Sequence, residues 1–327
     1  MLRVILVILI VTICMGNKAL AAMFSLPVNG DSVVGAVRYK VIHEHETLLD
    51  IARQYDLGLN EIIAANPGIN PWVPSKNYRV VIPTFFVLPS KPWKGIIVNL
   101  PEMRLYYFPP ESIFNERRVI TMPLSIGKIN WQTPVGEFYI KEKIKHPSWT
   151  VPQSIVSEYG LERYGNRRLI PPGDEDNPLG HHAILLNEAG YLIHGTNKPY
   201  SIGLRVSHGC IRLYPEDIDV LFDYVERNTS VRIINQPNKV GKRGPTLYVE
   251  THAILKEDAD KNGSNITPVI NAVVRHMPES MVPEFVWHQL DNIVSNASGL
   301  PAPLLDLLDY ADSSTGSKQS AVKFSRY

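Results

Sequence analysis

Cys210 stands in Ser207-His208-Gly209-Cys210-Ile211-Arg212, a stretch whose residue types suit acyl transfer through a thiol. The thiolate is the attacking species, so a free cysteine near neutral pH needs a base or a positive field to raise its thiolate fraction. Two bases are available. His208 lies two residues before Cys210, and His194 ends the apolar run Tyr191-Leu192-Ile193 and is followed by Gly195-Thr196-Asn197. A strand-end histidine and a loop cysteine far apart in sequence can meet across a cleft.

The thiol also has no partner. Arg3 precedes an apolar run from Val4 to Cys14, and Ala19-Leu20-Ala21 follows, which is the pattern of a secretory signal peptide over residues 1–21 with cleavage before Ala22. The run is shorter than the roughly 20 residues a spanning helix needs. Val11-Thr12-Ile13 before Cys14 is unlike a lipoprotein processing site, so Cys14 is expected to leave with the signal. Cys210 then has nothing to pair with, and the fold must rest on packing.

The elements that must position Cys210 follow from the rest of the chain. A net charge of +1 without a long block of one sign excludes the electrostatic footprint of a nucleic-acid binder. Prolines spread along the chain predict loops and strand edges rather than a helix bundle. Residues 38–84 read as strand, helix, helix, strand. Thr47 caps a helix with Leu48, Ile51, Ala52 and Tyr55 on one face, a second helix opens at Asn60 and stops at Asn66-Pro67-Gly68, and Tyr39-Lys40-Val41 and Tyr78 to Ile82 are the strands. Residues 85–94, with two prolines, read as a stiffened linker. From 95 to 235, β-rich runs at 96–100, 104–108, 119–122 and 137–141 predict a mainly β sandwich or barrel. Its one clear helix begins at Pro215, with Glu216 and Asp217 in the first turn and Ile218, Leu221, Phe222 and Val225 on the buried face. This helix directly follows the cysteine segment and would pin it. Residues 236–312 read as an accessory region with a strand at 247–250 and helices at 265–276 and 283–296, and the Ser/Lys-rich tail 313–327 as disordered.

The 38–84 unit, through Thr47-Leu48, Ile51 to Tyr55, Asn66-Pro67 and Val81-Ile82-Pro83, resembles a LysM domain, which implies binding to peptidoglycan glycan. His45-Glu46 and Lys76-Asn77 stand where that family commonly has glycine. His194-Gly195-Thr196, Ser201-Ile202-Gly203 and Ser207-His208-Gly209-Cys210-Ile211-Arg212-Leu213 resemble the signature of the YkuD-type L,D-transpeptidases, with Met103 to Tyr107 and Asp176 to Gly180 extending the likeness. The layout is most similar to the periplasmic ErfK/YbiS/YcfS/YnhG group.

That resemblance implies roles. Cys210 is the nucleophile, His194 the base and the Gly195 carbonyl its orienter. His208 and Gly209 shape an oxyanion hole, with backbone N–H groups around Gly209 and Cys210 as donors. Arg212 holds a substrate carboxylate, and Ser207 sits beside the substrate or fixes the loop. The implied reaction takes a peptidoglycan tetrapeptide stem, releases D-alanine, and passes the acyl group to a diaminopimelate amine, to a lysine of an outer-membrane lipoprotein, or to water as a carboxypeptidase. The alternative of another class is a non-catalytic wall-binding protein with an inert Cys210. No cofactor is expected. His181, His182, His194, His208 and Cys210 offer ligand types for zinc, but their spacing lacks any metal motif, and His181 and His182 would point to opposite faces of a strand.

Overall fold

A computed structural model describes residues 21–262, 266–277 and 284–307. Cys14, the rest of the expected signal segment up to residue 20, and the tail 313–327 lie outside the described residues. Among the described residues, no helix is long and apolar enough to cross a membrane.

Strand-forming runs between Gly95 and Ile234 fold into a sheet that closes on itself like a barrel. Around the ring the order is Arg118–Gly127, Ile211–Leu213, Leu192–His194, His182–Leu186, Gly136–Lys145, Ser230–Ile234, Gly95–Asn99 and Arg104–Phe108. Arg118–Gly127 closes it: Thr121 lies opposite Tyr106 on one neighbour, and Ser125 lies opposite Arg212 on the other. Strand alternation sends Leu105, Tyr107, Ile120, Met122, Ile193, Ile211 and Leu213 into one core, which the Pro215–Tyr224 helix covers with Ile218, Leu221 and Phe222. This is the mainly β unit that the strand-rich runs predict, with the helix where the acids and proline place it. Asp217 lies in the first turn as expected and is fully buried.

The 38–84 stretch has its own core. Thr47 caps the Leu48–Gln54 helix with a reciprocal capping box, its hydroxyl accepting from the Asp50 N–H at 3.1 Å. The second helix is Leu59–Ala65, one residue earlier than Asn60. Its cap is Gly58, whose N–H donates to Glu61 Oε2 at 2.6 Å. Asn66 ends it by bonding Ile62 O and both backbone groups of Val81, which ties the helix to the strand Arg79–Ile82. His45 and Asn77 both take left-handed backbone (φ 65° and 64°), the conformation glycine adopts without cost.

The expected linker 85–94 is instead built into the structure. Phe85–Val87 is a strand paired with Val33–Gly35, Phe86, Val87 and Leu88 are buried, and Trp93 stacks on Phe108 at 6.1 Å. Apolar side chains on consecutive residues here gain more by packing than the two prolines lose, so the segment is a joint between units.

Two residues of one barrel strand fasten the flanking units. Arg104 donates to both oxygens of Glu61 (2.7 and 2.9 Å), to the Asp56 carbonyl (3.1 Å) and to Thr121 Oγ1 (3.1 Å), reaching into the small unit. Two residues on, Tyr106 donates to Glu102. Lys239 of the C-terminal unit lies 2.8 Å from Glu102 and 2.7 Å from Glu250. That C-terminal unit is the sheet Asn238–Arg243, Thr246–Thr251 and Ala302–Asp306, packed under helices Thr267–Val274 and Glu284–Asn296.

Candidate active site

Register decides which residues meet. Leu192–His194 and Ile211–Leu213 run parallel with Ile193 opposite Ile211 and His194 opposite Arg212. Since Ile193, Ile211 and Leu213 point into the core, His194 and Arg212 share the other face, and Cys210, two residues before Arg212, is in the same phase. The structure thus brings the base, the thiol and the guanidinium to one side of two adjacent strands.

His194 is 3% exposed, and its Nδ1 lies 2.7 Å from the Gly195 carbonyl oxygen. A carbonyl only accepts, so Nδ1 carries the proton and Nε2 keeps its lone pair. The backbone carbonyls of Leu179 and Pro178 face the same ring. They are held there by Asn177, which is buried, donates to the Pro147 and Pro171 carbonyls, and accepts from the Leu179 N–H at 3.0 Å. This gives Asp176-Asn177-Pro178-Leu179-Gly180 a physical role in orienting the base. Burial, then the Arg212 charge, pushes the His194 imidazole down to about 3. Between about 3 and the ordinary value near 6.5 the unfolded chain binds the extra proton. Stability from the neutral ring is therefore whole above pH 6.5 and is lost as pH falls toward 3. Urea unfolding across this range should show a His194 contribution of up to about 1.4 kcal/mol per pH unit that His194→Asn removes. Parallel pH curves for the two proteins would contradict the assignment.

Cys210 is half-buried. Its thiol donates to the Gly190 carbonyl at 3.5 Å and faces the Leu192 N–H. Burial raises the thiol above its ordinary range, while the Leu192 N–H and the Arg212 charge oppose that rise. The resting site is therefore a neutral thiol beside a neutral imidazole.

The loop around the thiol is locked from within. Ser207 is 1% exposed. Its Oγ donates to the Cys210 carbonyl (2.5 Å) and accepts from the Gly209 N–H (3.2 Å). This corrects the substrate-binding expectation for Ser207, because its hydroxyl is used up inside the loop. It also removes the Gly209 N–H from the expected oxyanion donors. Gly209 itself is required: at φ +103° an added Cβ would come within 2.9 Å of the Tyr191 ring. Thr133 Oγ1 donates to the Gly209 carbonyl at 3.0 Å and pins the turn to the barrel.

His208 has different surroundings from His194. It stacks on Trp131 at 4.7 Å, its Nδ1 is 3.2 Å from Ser154 Oγ, and its Nε2 is 2.8 Å from Glu158 Oε2. Ser154 and Glu158 belong to the helix Gln153–Tyr159, and Glu158 is also paired with Lys128 at 2.6 Å. Burial, followed by the nearby cations, lowers the His208 pKa, against the opposing pull of Glu158. These neighbours tie His208 to the Gln153–Tyr159 helix. Sequence reasoning missed Trp131, Ser154, Glu158 and Lys128, which carry no motif and approach only through the fold.

Arg212 forms no ion pair among the described residues, and its buried Nε has no hydrogen-bond partner. An unpaired guanidinium on the face shared with Cys210 and His194 is a ready receptor for a carboxylate. The histidines weighed for zinc are dispersed. His182 binds Asp219 at 2.6 Å and packs on Phe222. Among the described residues the grouped ligand types are Glu102, Glu250 and His252, at the junction where Lys239 already lies between the two carboxylates.

Comparison with known proteins agrees with this geometry. Residues 94–233 match the L,D-transpeptidase catalytic domain family, YkuD. The chain is 34% identical over 295 residues to "Probable L,D-transpeptidase YcfS" of Escherichia coli strain K12, covering 88% of this chain and 90% of that protein. It is 38% identical over 268 residues to "Probable L,D-transpeptidase ErfK/SrfK" of the same strain, covering 79% and 84%. To "Putative L,D-transpeptidase YkuD" of Bacillus subtilis it is 28% identical over 194 residues, covering 59% and 96%. The fold and the family match define a peptide acyl-transfer enzyme. The chain belongs to the L,D-transpeptidase family and is an L,D-transpeptidase.

Proposed function

We propose that the donor is the tetrapeptide stem of peptidoglycan and that Cys210 forms the acyl-enzyme. The observation that carries this is the shared face of Cys210, neutral His194 and unpaired Arg212. His194 Nε2 takes the thiol proton as sulfur attacks the diaminopimelate carbonyl. The tetrahedral intermediate collapses, the imidazolium returns the proton to the departing nitrogen, and D-alanine leaves with a thioester on Cys210. An acceptor amine then attacks the thioester, loses its proton to His194, and frees the thiol.

Substrate binding and base strength are coupled through Arg212. In the free enzyme its charge depresses both His194 and Cys210. A substrate carboxylate on Arg212 cancels that field at the imidazole, so binding strengthens the base when it is needed. Arg212→Met should raise KM and lower kcat/KM about 10- to 100-fold. It should also move both limbs of the pH–rate profile upward, since the imidazole and the thiol both lose a nearby cation. A purely structural arginine would leave the profile in place.

For the acceptor the reading is an amine, either the diaminopimelate side chain of a second stem or a lysine of an outer-membrane lipoprotein. In this reading the enzyme works in the periplasm after signal cleavage, and the 38–84 unit holds glycan as a LysM-like module. The left-handed His45 and Asn77, at positions where LysM domains commonly have glycine, support the likeness of backbone to that module. Incubating the protein with tetrapeptide muropeptides, with and without a lysine-ended lipoprotein peptide, tests the whole reading by product mass. A cross-linked dimer or a peptide conjugate, with equimolar D-alanine, is expected. Tripeptide alone would make water the acceptor, and no D-alanine would sink the donor assignment.

A further inference from the structure

Where the small unit meets the barrel, buried carboxyl groups outnumber the guanidinium that faces them. Asp56, Glu61 and Asp217 are 4%, 7% and 0% exposed, and one guanidinium, Arg104, faces them. Arg104 spends two hydrogen bonds on Glu61 and reaches only the backbone oxygen of Asp56. The Asp56 and Asp217 carboxyls lie against each other, burial and then the Asp56 charge push Asp217 well above the usual carboxylate range, and neither oxygen of Asp217 accepts from an N–H or O–H of any third group among the described residues. Glu216, the next acid, is matched by Arg53 at 3.3 Å, and the Tyr214 hydroxyl is spent on the Leu57 carbonyl. A carboxylate buried without a partner is costly, and burial pushes Asp56 up to about 6. Among the described residues no cation hydrogen-bonds the carboxyl of Asp56 or of Asp217.

One nitrogen already points into it. The backbone nitrogen of Ala22 lies 3.1 Å from Asp56 Oδ2. Ala22 opens the strand Ala22–Ser25, held in antiparallel register against Arg118–Thr121, while Ala21 and Met23 pack on the barrel core. Ala22 is also the residue expected to begin the chain once Ala21–Ala22 is cut. Before cleavage this nitrogen is a neutral amide with one proton. Hydrolysis of that bond adds water, leaves a carboxylate on Ala21, and makes the Ala22 nitrogen an α-ammonium with three donors and a full positive charge.

We propose that Asp56 and Asp217 form a buried receptor for the α-ammonium of Ala22, so that removal of the leader supplies the cation that completes the joint between the small unit and the catalytic barrel. The proposal rests on the export reading. It gives cleavage a structural consequence: the processed chain is more stable than any form in which this nitrogen stays an amide.

The intact mass of protein recovered from the periplasm fixes the first residue. The chain starting at Ala22 is then compared with the same chain carrying an acetylated α-amine, by urea unfolding at pH 7. Acetylation is expected to raise the unfolding equilibrium constant about 100-fold or more, and to have little effect in an Asp56→Asn background. In the unsubstituted protein the α-amine should titrate at least one unit above its ordinary value of about 8, read from the pH dependence of its acylation rate. This readout serves even where Asp56→Asn does not fold. A chain beginning at another residue overturns cleavage before Ala22 and the receptor together. A chain beginning at Ala22 whose acetylation is silent, or whose α-amine titrates normally, overturns the receptor and leaves the cleavage reading standing.

Discussion

Cys210→Ser is expected to reduce D-alanine release from a tetrapeptide stem by at least about 1,000-fold without changing the urea unfolding midpoint. The argument rests on the pairing of nucleophile and base. An imidazole pushed down to about 3 is a weak proton acceptor even after a substrate carboxylate offsets Arg212. A thiol, though raised by burial, is far more acidic than an alcohol and is a strong nucleophile once ionised. Serine places oxygen in the same loop, still locked by Ser207 and Thr133, but asks the base for a proton it cannot take. Initial rates of D-alanine release measure the effect. A serine variant retaining a tenth of the activity would mean that the thiol is not the attacking group.

Arg104→Met should be the most destabilising substitution outside the site, costing about 3–5 kcal/mol. It removes both bonds to Glu61 and leaves that carboxylate buried without its ion-pair partner. Arg104→Met with Glu61→Leu should recover part of the loss, since replacing a buried pair by apolar groups of similar size is far cheaper than breaking it. Chemical unfolding of the three proteins checks this. A single variant within about 1 kcal/mol of wild type would show that the Arg104–Glu61 pair contributes little.

The chemistry was legible because it lies in short stretches. Residue types identified the thiol and both histidines, and strand-rich runs with Gly and Pro breaks identified the mainly β unit. The choice between His194 and His208 was not legible without the resemblance. It depends on the parallel register of Ile193 with Ile211, and no local pattern encodes pairing between segments. The same limit hid Glu158 and Ser154, about fifty residues from the histidine they touch. The 85–94 joint reads as a linker for a related reason: prolines between units have a default solvated reading, and only tertiary burial overrides it. The burial of Asp217 is likewise invisible in a pattern that places it only in the first turn of its helix. Of the two expectations for Ser207, contact with substrate or fixing of the loop, the hydroxyl's bonds within the turn favour the second.

The most direct measurement is the intact mass of the protein, quenched in acid seconds after mixing with a tetrapeptide stem and no amine acceptor, followed by peptide mapping. The mechanism predicts a mass gain equal to the tripeptide acyl group, located on the peptide containing Cys210, with one D-alanine released per adduct. Release of D-alanine with Cys210 unmodified, or an adduct on any other residue, would contradict it.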